Sequence, residues 1–164
     1  MFSFPNPVNE KAARVVAGVV AVVGLVILAT GARWLLVALA YGFWARVLTG
    51  PTLSPLGRLA MRVVAPRLGP PTYVAGPPKR FAQGIGAALT SVAAVLALGF
   101  GADTAADVLT AMVVVAATLE SVFALCLGCR IFAGLMRLGL VPEATCERCA
   151  DIWARPPRPG VSRP

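Results

Sequence analysis

The sequence predicts an all-α membrane protein. Its expected parts are four transmembrane helices in two hairpins, a cytoplasmic interfacial amphipathic helix, and a short cysteine-rich C-terminal segment. Three observations carry this. Of the 164 residues, 58% are hydrophobic and only 13% are charged, whereas a soluble domain carries about a quarter charged residues. Apolar runs near the length that crosses a bilayer, roughly twenty residues, occur four times. Basic residues gather in alternate connecting segments, as they do on the cytoplasmic side of membrane proteins. A single membrane domain is therefore expected over residues 1–152, and the proline- and arginine-rich tail, 153–164, is expected to be disordered.

The first span is expected over residues 12–30, with Arg14 near its start. The opening "MFSFPNPVNEK" has no basic start and no small-residue cleavage site follows the apolar run, so no cleavable signal is expected. The second span, 32–49, is weaker. Arg33 and Arg46 sit at its borders, where long side chains snorkel to the headgroups, and Trp34 and Trp44 are placed as interfacial anchors. The alternative is three spans, with this segment lying in the interface. The tail would then face outward with its arginines, against the charge rule.

The loop after span two is expected to hold an amphipathic helix over about 52–66. Leu56, Leu59 or Ala60, and Val63 fall at helical spacing while Arg58 and Arg62 share another face, and Pro66 is expected to end it. Such a helix either lies on the inner leaflet or caps the bundle from below. The proline-rich stretch before Lys79 suits neither a helix nor a central strand. The third span, 81–102, is uncharged, and the fourth, 108–128, contains only Glu120. Ala17 with Ala21, and Ala82 with Gly86, are small residues four apart that let helices approach closely.

The loop charges orient the chain. Arg58, Arg62, Arg67, Lys79 and Arg80 lie between spans two and three, and Arg130, Arg137, Arg148, Arg155, Arg158 and Arg163 follow span four. The two opposite turns hold Arg33, Asp103 and Asp107. Both termini are therefore expected in the cytoplasm, in the bacterial inner membrane. The net charge of +8 is read as an orientation signal, with the lipid bilayer rather than nucleic acid as its partner.

Two features carry possible chemistry. Glu120 is expected near the bilayer midplane, where an ionised carboxylate costs about 2.5 kcal/mol or more. It should face the bundle, towards Tyr41, Thr90 or Ser91, either as a relay or as a neutral acid holding helix register. The four cysteines form two C-x-x-C pairs, Cys126 with Cys129 and Cys146 with Cys149, sixteen residues apart. The spacing fits a structural zinc site. It also fits a thiol redox or sulfur relay, or plain packing. Cys126 and Cys129 are expected on one face at the C-terminal end of span four, where the helix dipole opposes a thiolate. Pro142 is expected to break the following helix and return the second pair to the first. A cytoplasmic location argues against a static disulfide.

Three stretches, "FPNPVNEKAARVVAG", "GPPKRFAQGIGA" and "CLGCRIFAGLMRLGLVPEATCERCADI", frame nearly the whole chain. They resemble the bacterial family called domain of unknown function 4395. The resemblance implies a small integral membrane protein, and a thioredoxin-like or sulfurtransferase partner by association. It supplies no catalytic residue. Histidine is absent, and there is no Walker loop, dinucleotide fingerprint or serine triad, so no self-sufficient enzyme is expected. The leading expectation is a membrane thiol component acting through Cys126, Cys129, Cys146 and Cys149. The alternatives are a zinc-binding structural subunit using the same thiols and a small transporter using Glu120.

Overall fold

The computed structural model describes residues 7–142. Cys146, Cys149 and the tail expected to be disordered lie outside the described residues. The described chain is helical apart from one two-residue bridge. In order it comprises β1 (Val8–Asn9), α1 (Glu10–Thr30), α2 (Leu35–Thr49), α3 (Pro55–Leu59), β2 (Tyr73–Val74), α4 (Gly76–Gly99), α5 (Asp103–Phe123) and α6 (Leu127–Arg137).

Three of these helices, α1, α4 and α5, are long and apolar enough to cross a membrane. The fourth apolar helix, α2, has 15 residues. It is about 22 Å long at 1.5 Å per residue, short of a hydrocarbon core of roughly 30 Å. Its partner contacts show its direction. Arg46 meets Gln83, Phe43 lies against Gly86, and Arg80 reaches the Val47 carbonyl. Residue numbers rise on one helix as they fall on the other, so α2 runs antiparallel to α4. In the same way Arg14 meets Ser121 and Gly24 meets Val114, so α1 runs antiparallel to α5. The main packing therefore joins α1 to α5, α2 to α4 and α4 to α5, while the sequence neighbours α1 and α2 touch only lightly.

Local chemistry sets the ends. The Asn9 side chain accepts from the Lys11 and Ala12 amides at 3.0 and 3.4 Å and caps α1. β1 pairs antiparallel with β2, and the Glu10 amide donates to the Thr72 carbonyl at 2.8 Å, so α1 and α4 start side by side. The third span begins five residues earlier than the expected 81. Pro77 and Pro78 occupy the first turn of α4, where no amide hydrogen is needed, and Lys79 and Arg80 fall inside the helix.

The apolar helix found where span four is expected, 108–128, runs instead over Asp103–Phe123. Asp103 opens it, favoured by the positive end of the helix dipole. Arg33 pairs with both Asp103, at 3.3 Å, and Asp107. The Asp107 hydrogen bond raises the Arg33 guanidinium above its ordinary pKa. At the other end Ala124 adopts the left-handed conformation, φ 55°, and stops the helix. Arg14 donates to the Ser121 carbonyl at 3.0 Å and the Val122 carbonyl at 3.2 Å, satisfying orphan acceptors there.

The segment expected as one interfacial helix over 52–66 is a succession of short turns. α3 passes into a π-helical turn, Ala60–Val64, and a 3₁₀ turn, Ala65–Leu68. Pro66 does not end it, because it sits in the first turn of that last piece, where no amide hydrogen is required. Leu59, Met61 and Val63 are exposed, while Gly57, Ala60 and Ala65 pack inward against α1.

The small residues expected to permit close approach do so. Ala17 and Ala21 are buried. A Cβ on Gly86 would overlap the Phe43 ring, and one on Gly128 would overlap Ala82. Gly86→Val is therefore expected to destabilise the bundle by about 1–3 kcal/mol, the usual cost of overpacking. Gly84→Val, where nothing lies within 4 Å, is its control. Unfolding in detergent that ranks the two variants equally would contradict this packing.

Candidate functional site

The end of the bundle formed by the start of α1, the end of α2, the start of α4 and the end of α5 also carries α6. This end gathers the unusual chemistry. Lys79 and Glu120 form an ion pair whose side chains are 8% and 13% exposed. Arg46 is 7% exposed. Its Nε donates to Gln83 Oε1 at 2.8 Å, and its guanidinium lies 4.7 Å from the centre of the Phe43 ring.

Glu120 is thus paired with Lys79 and not with the expected Tyr41, Thr90 or Ser91. With the helix ending at Phe123, Glu120 lies one turn from its end. Thr90 bonds back to the Gly86 carbonyl at 2.7 Å, and Ser91 accepts from Trp44 Nε1 at 3.1 Å. The exposed Tyr41 reaches the Leu53 carbonyl at 3.5 Å. Lys79 is the partner that sequence reasoning missed, and Arg46 and Gln83 line the same cavity as Glu120. The signal was a cation at the edge of each of two apolar runs, Arg46 within 32–49 and Lys79 just before 81–102. Arg46 was read as a snorkelling border residue and Lys79 as part of the loop.

The first cysteine pair is also placed differently. Cys126 does not end span four; it is the N-cap of α6. Its Sγ accepts from the Cys129 amide at 3.3 Å, and the two cysteines are joined as a disulfide with Cα atoms 5.2 Å apart. Both are partly buried. The dipole argument therefore reverses. At a helix N-terminus the backbone amides favour a thiolate instead of opposing it. The expectation of free thiols rested on compartment, not on geometry, and the geometry brings these two sulfurs together. α6 itself ends at Arg137, and Gly139, φ 72°, turns the chain before Pro142 is reached. Among the described residues no three cysteine or acidic side chains converge as a metal site.

A family model described as a domain of unknown function, DUF4395, matches residues 8–137. The chain belongs to the DUF4395 family. No curated protein and no solved structure matches it. Within this DUF4395 protein the matched stretch contains α1 to α6, and with them both cysteines of the first pair and the whole buried polar cluster.

A cavity of about 200 Å³ extends into the bundle from this end. Its walls are mostly apolar, from Val20, Leu89 and Met112, but Arg46, Gln83, Glu120 and Cys126 also line it. A second cavity of about 120 Å³, between the start of α1 and the turns around Gly57, is lined by Asn9 and Lys79 and again by Arg46 and Gln83. The Arg46–Gln83 contact is therefore a partition shared by both spaces.

Proposed function

We propose that this DUF4395 protein is a four-span inner-membrane dithiol component. Both termini lie in the cytoplasm, and the Cys126–Cys129 couple exchanges electrons or sulfane sulfur with a soluble thioredoxin-like or sulfurtransferase partner. The observation that carries this is the position of Cys126. It caps a helix N-terminus within bonding reach of Cys129, the placement in which a dithiol motif gains a reactive thiolate.

Electron exchange follows simple thiol chemistry. In the reduced pair, the Cys126 thiolate attacks one sulfur of a partner disulfide and releases one partner thiolate. Cys129, deprotonated, then attacks Cys126 Sγ. The internal disulfide forms, the second partner thiolate leaves, and two electrons have passed to the partner. The reverse sequence reduces Cys126–Cys129. The amide of Cys129, aimed at Cys126 Sγ, supports the thiolate that both directions require. Cys146 and Cys149 would supply a second couple in the same relay.

The membrane arrangement rests on helix direction and charge. α1 and α4 start side by side, so a chain that leaves along α1 has α2 as its return path. Arg14, Arg46, Lys79, Arg80 and Arg130 belong to the α6 end, and Arg33, Asp103 and Asp107 to the opposite one. The positive-inside rule assigns the α6 end to the cytoplasm. A membrane-impermeant maleimide is expected to label Cys126 and Cys129 in inverted vesicles treated with reductant, and to leave them unlabelled in intact spheroplasts. Labelling from outside would overturn the orientation. A pair that stays bonded against a reduced thioredoxin would overturn the redox couple.

A second reading, a small transporter, is favoured by one observation: the larger cavity reaches Glu120 from within the bundle.

A further inference from the structure

Among the described residues, the buried charges at the α6 end do not balance. Lys79 is matched by Glu120. Among the described residues, Arg46 is matched by no carboxylate of its own. Its Nε meets a neutral amide and its plane lies near an aromatic ring. Glu120 attracts it through space, but the single charge of Glu120 is already opposed by Lys79. Neither terminal nitrogen of Arg46 donates to a described residue. No deeply buried side-chain nitrogen or oxygen among the described residues lacks a hydrogen-bond partner. The free Arg46 donors therefore open onto the cavities that Arg46 lines.

We infer that Arg46, with Gln83 and Lys79 beside it, is a binding site for an oxyanion of the sulfate or phosphate type. An unpaired buried charge costs several kcal/mol, and an incoming anion would offset that cost. The planar guanidinium offers a fork of donors that matches two oxygens of such a group, and Lys79 adds a compact second charge. The neutral Gln83 fixes the guanidinium without cancelling its charge. Access is from the cavity lined by Asn9 and Lys79. The same chemistry has two sources, a free oxyanion or the phosphate of an anionic lipid entering at headgroup level. The site does not depend on the dithiol reading, because none of its three residues is a cysteine.

The test uses the full chain in phosphatidylcholine nanodiscs, titrated with sulfate, thiosulfate and inorganic phosphate and followed by calorimetry and by the thermal midpoint. At least one anion is expected to bind saturably and raise the midpoint. Arg46→Gln is expected to weaken that binding tenfold or more, the scale of one lost charge-assisted hydrogen bond, and Arg46→Lys to recover part of it. Repeating the titration with phosphatidylglycerol in the disc separates the sources. Unchanged binding marks a free oxyanion, whereas lost binding together with a raised resting midpoint marks the lipid phosphate. If Arg46→Gln fails to fold, Arg46→Lys and competition among the three anions on the unaltered chain still decide. The inference is overturned if no anion saturates and phosphatidylglycerol does not stabilise, or if a folded Arg46→Gln binds as the unaltered chain does.

Discussion

Cys129→Ser is expected to accumulate as a covalent complex with its soluble partner, seen as a reductant-sensitive band of higher mass. Cys126→Ser is expected to give none. The difference follows from the site. Cys126 caps α6 and receives the Cys129 amide, so under the proposed exchange it is the thiolate that attacks. Under the same proposal Cys129 resolves the mixed disulfide. Without it the complex has no internal exit and survives an acid quench followed by alkylation near neutral pH. The expected effect is all-or-none, because no other thiol of the described residues can replace Cys129. Both variants should also be made with Cys146 and Cys149 replaced, so that the second pair cannot resolve the complex. Equal trapping by Cys126→Ser and Cys129→Ser would contradict the assignment, and no trapping by either would remove the exchange reaction itself.

The second large effect is expected at Lys79 and Glu120. Removing one partner of a buried ion pair strands the other charge, at a cost of about 3–5 kcal/mol. Lys79→Met should therefore destabilise the bundle severely, and so should Glu120→Gln, which leaves the ammonium unmatched. The double variant is expected to regain most of the loss, because it removes both charges together. Thermal unfolding of the four proteins in one detergent measures this cycle. Additive losses in the double variant would show that the pair is not coupled. A benign Glu120→Gln would restore the older expectation of a neutral acid serving only as a spacer.

The apolar runs were legible because hydrocarbon demands continuity of hydrophobic residues, and three of them are helices of spanning length. Their ends were not, because a charge does not by itself mark a boundary. Asp103 and Asp107 belong to α5 because Arg33 waits for them across the bundle, and Lys79 belongs to α4 because Glu120 does. Those partners are between 41 and 74 positions away, beyond any local pattern. The break at Ala124 had no glycine or proline to announce it. The function of Cys126 as a cap was hidden for a related reason. Serine, threonine, aspartate and asparagine are the residues read as caps, and a thiol takes that place here only because the chain turns two residues earlier. The C-x-x-C motif itself was plain, but its position on its helix, which decides its chemistry, was not.

The pairing of α1 with α5 has a consequence for how the protein is made. Gly24 and Val114, which interlock in the finished bundle, are 90 positions apart (114 − 24). At roughly 5–20 residues per second of synthesis, α1 therefore sits in the membrane for about 5–20 seconds before its main neighbour exists. During that interval the flank that will meet α5 faces lipid, and Arg14 has no Ser121 carbonyl to hold. The buried positions on α1 include the small apolar Ala17, Ala21 and Gly24, which need no polar partner. The strand pairing of Val8 with Val74 becomes available earlier, and it tethers the newborn α1 beside the site where α4 will enter. A ribosome stalled before residue 103 would therefore leave α1 without the helix it packs against most.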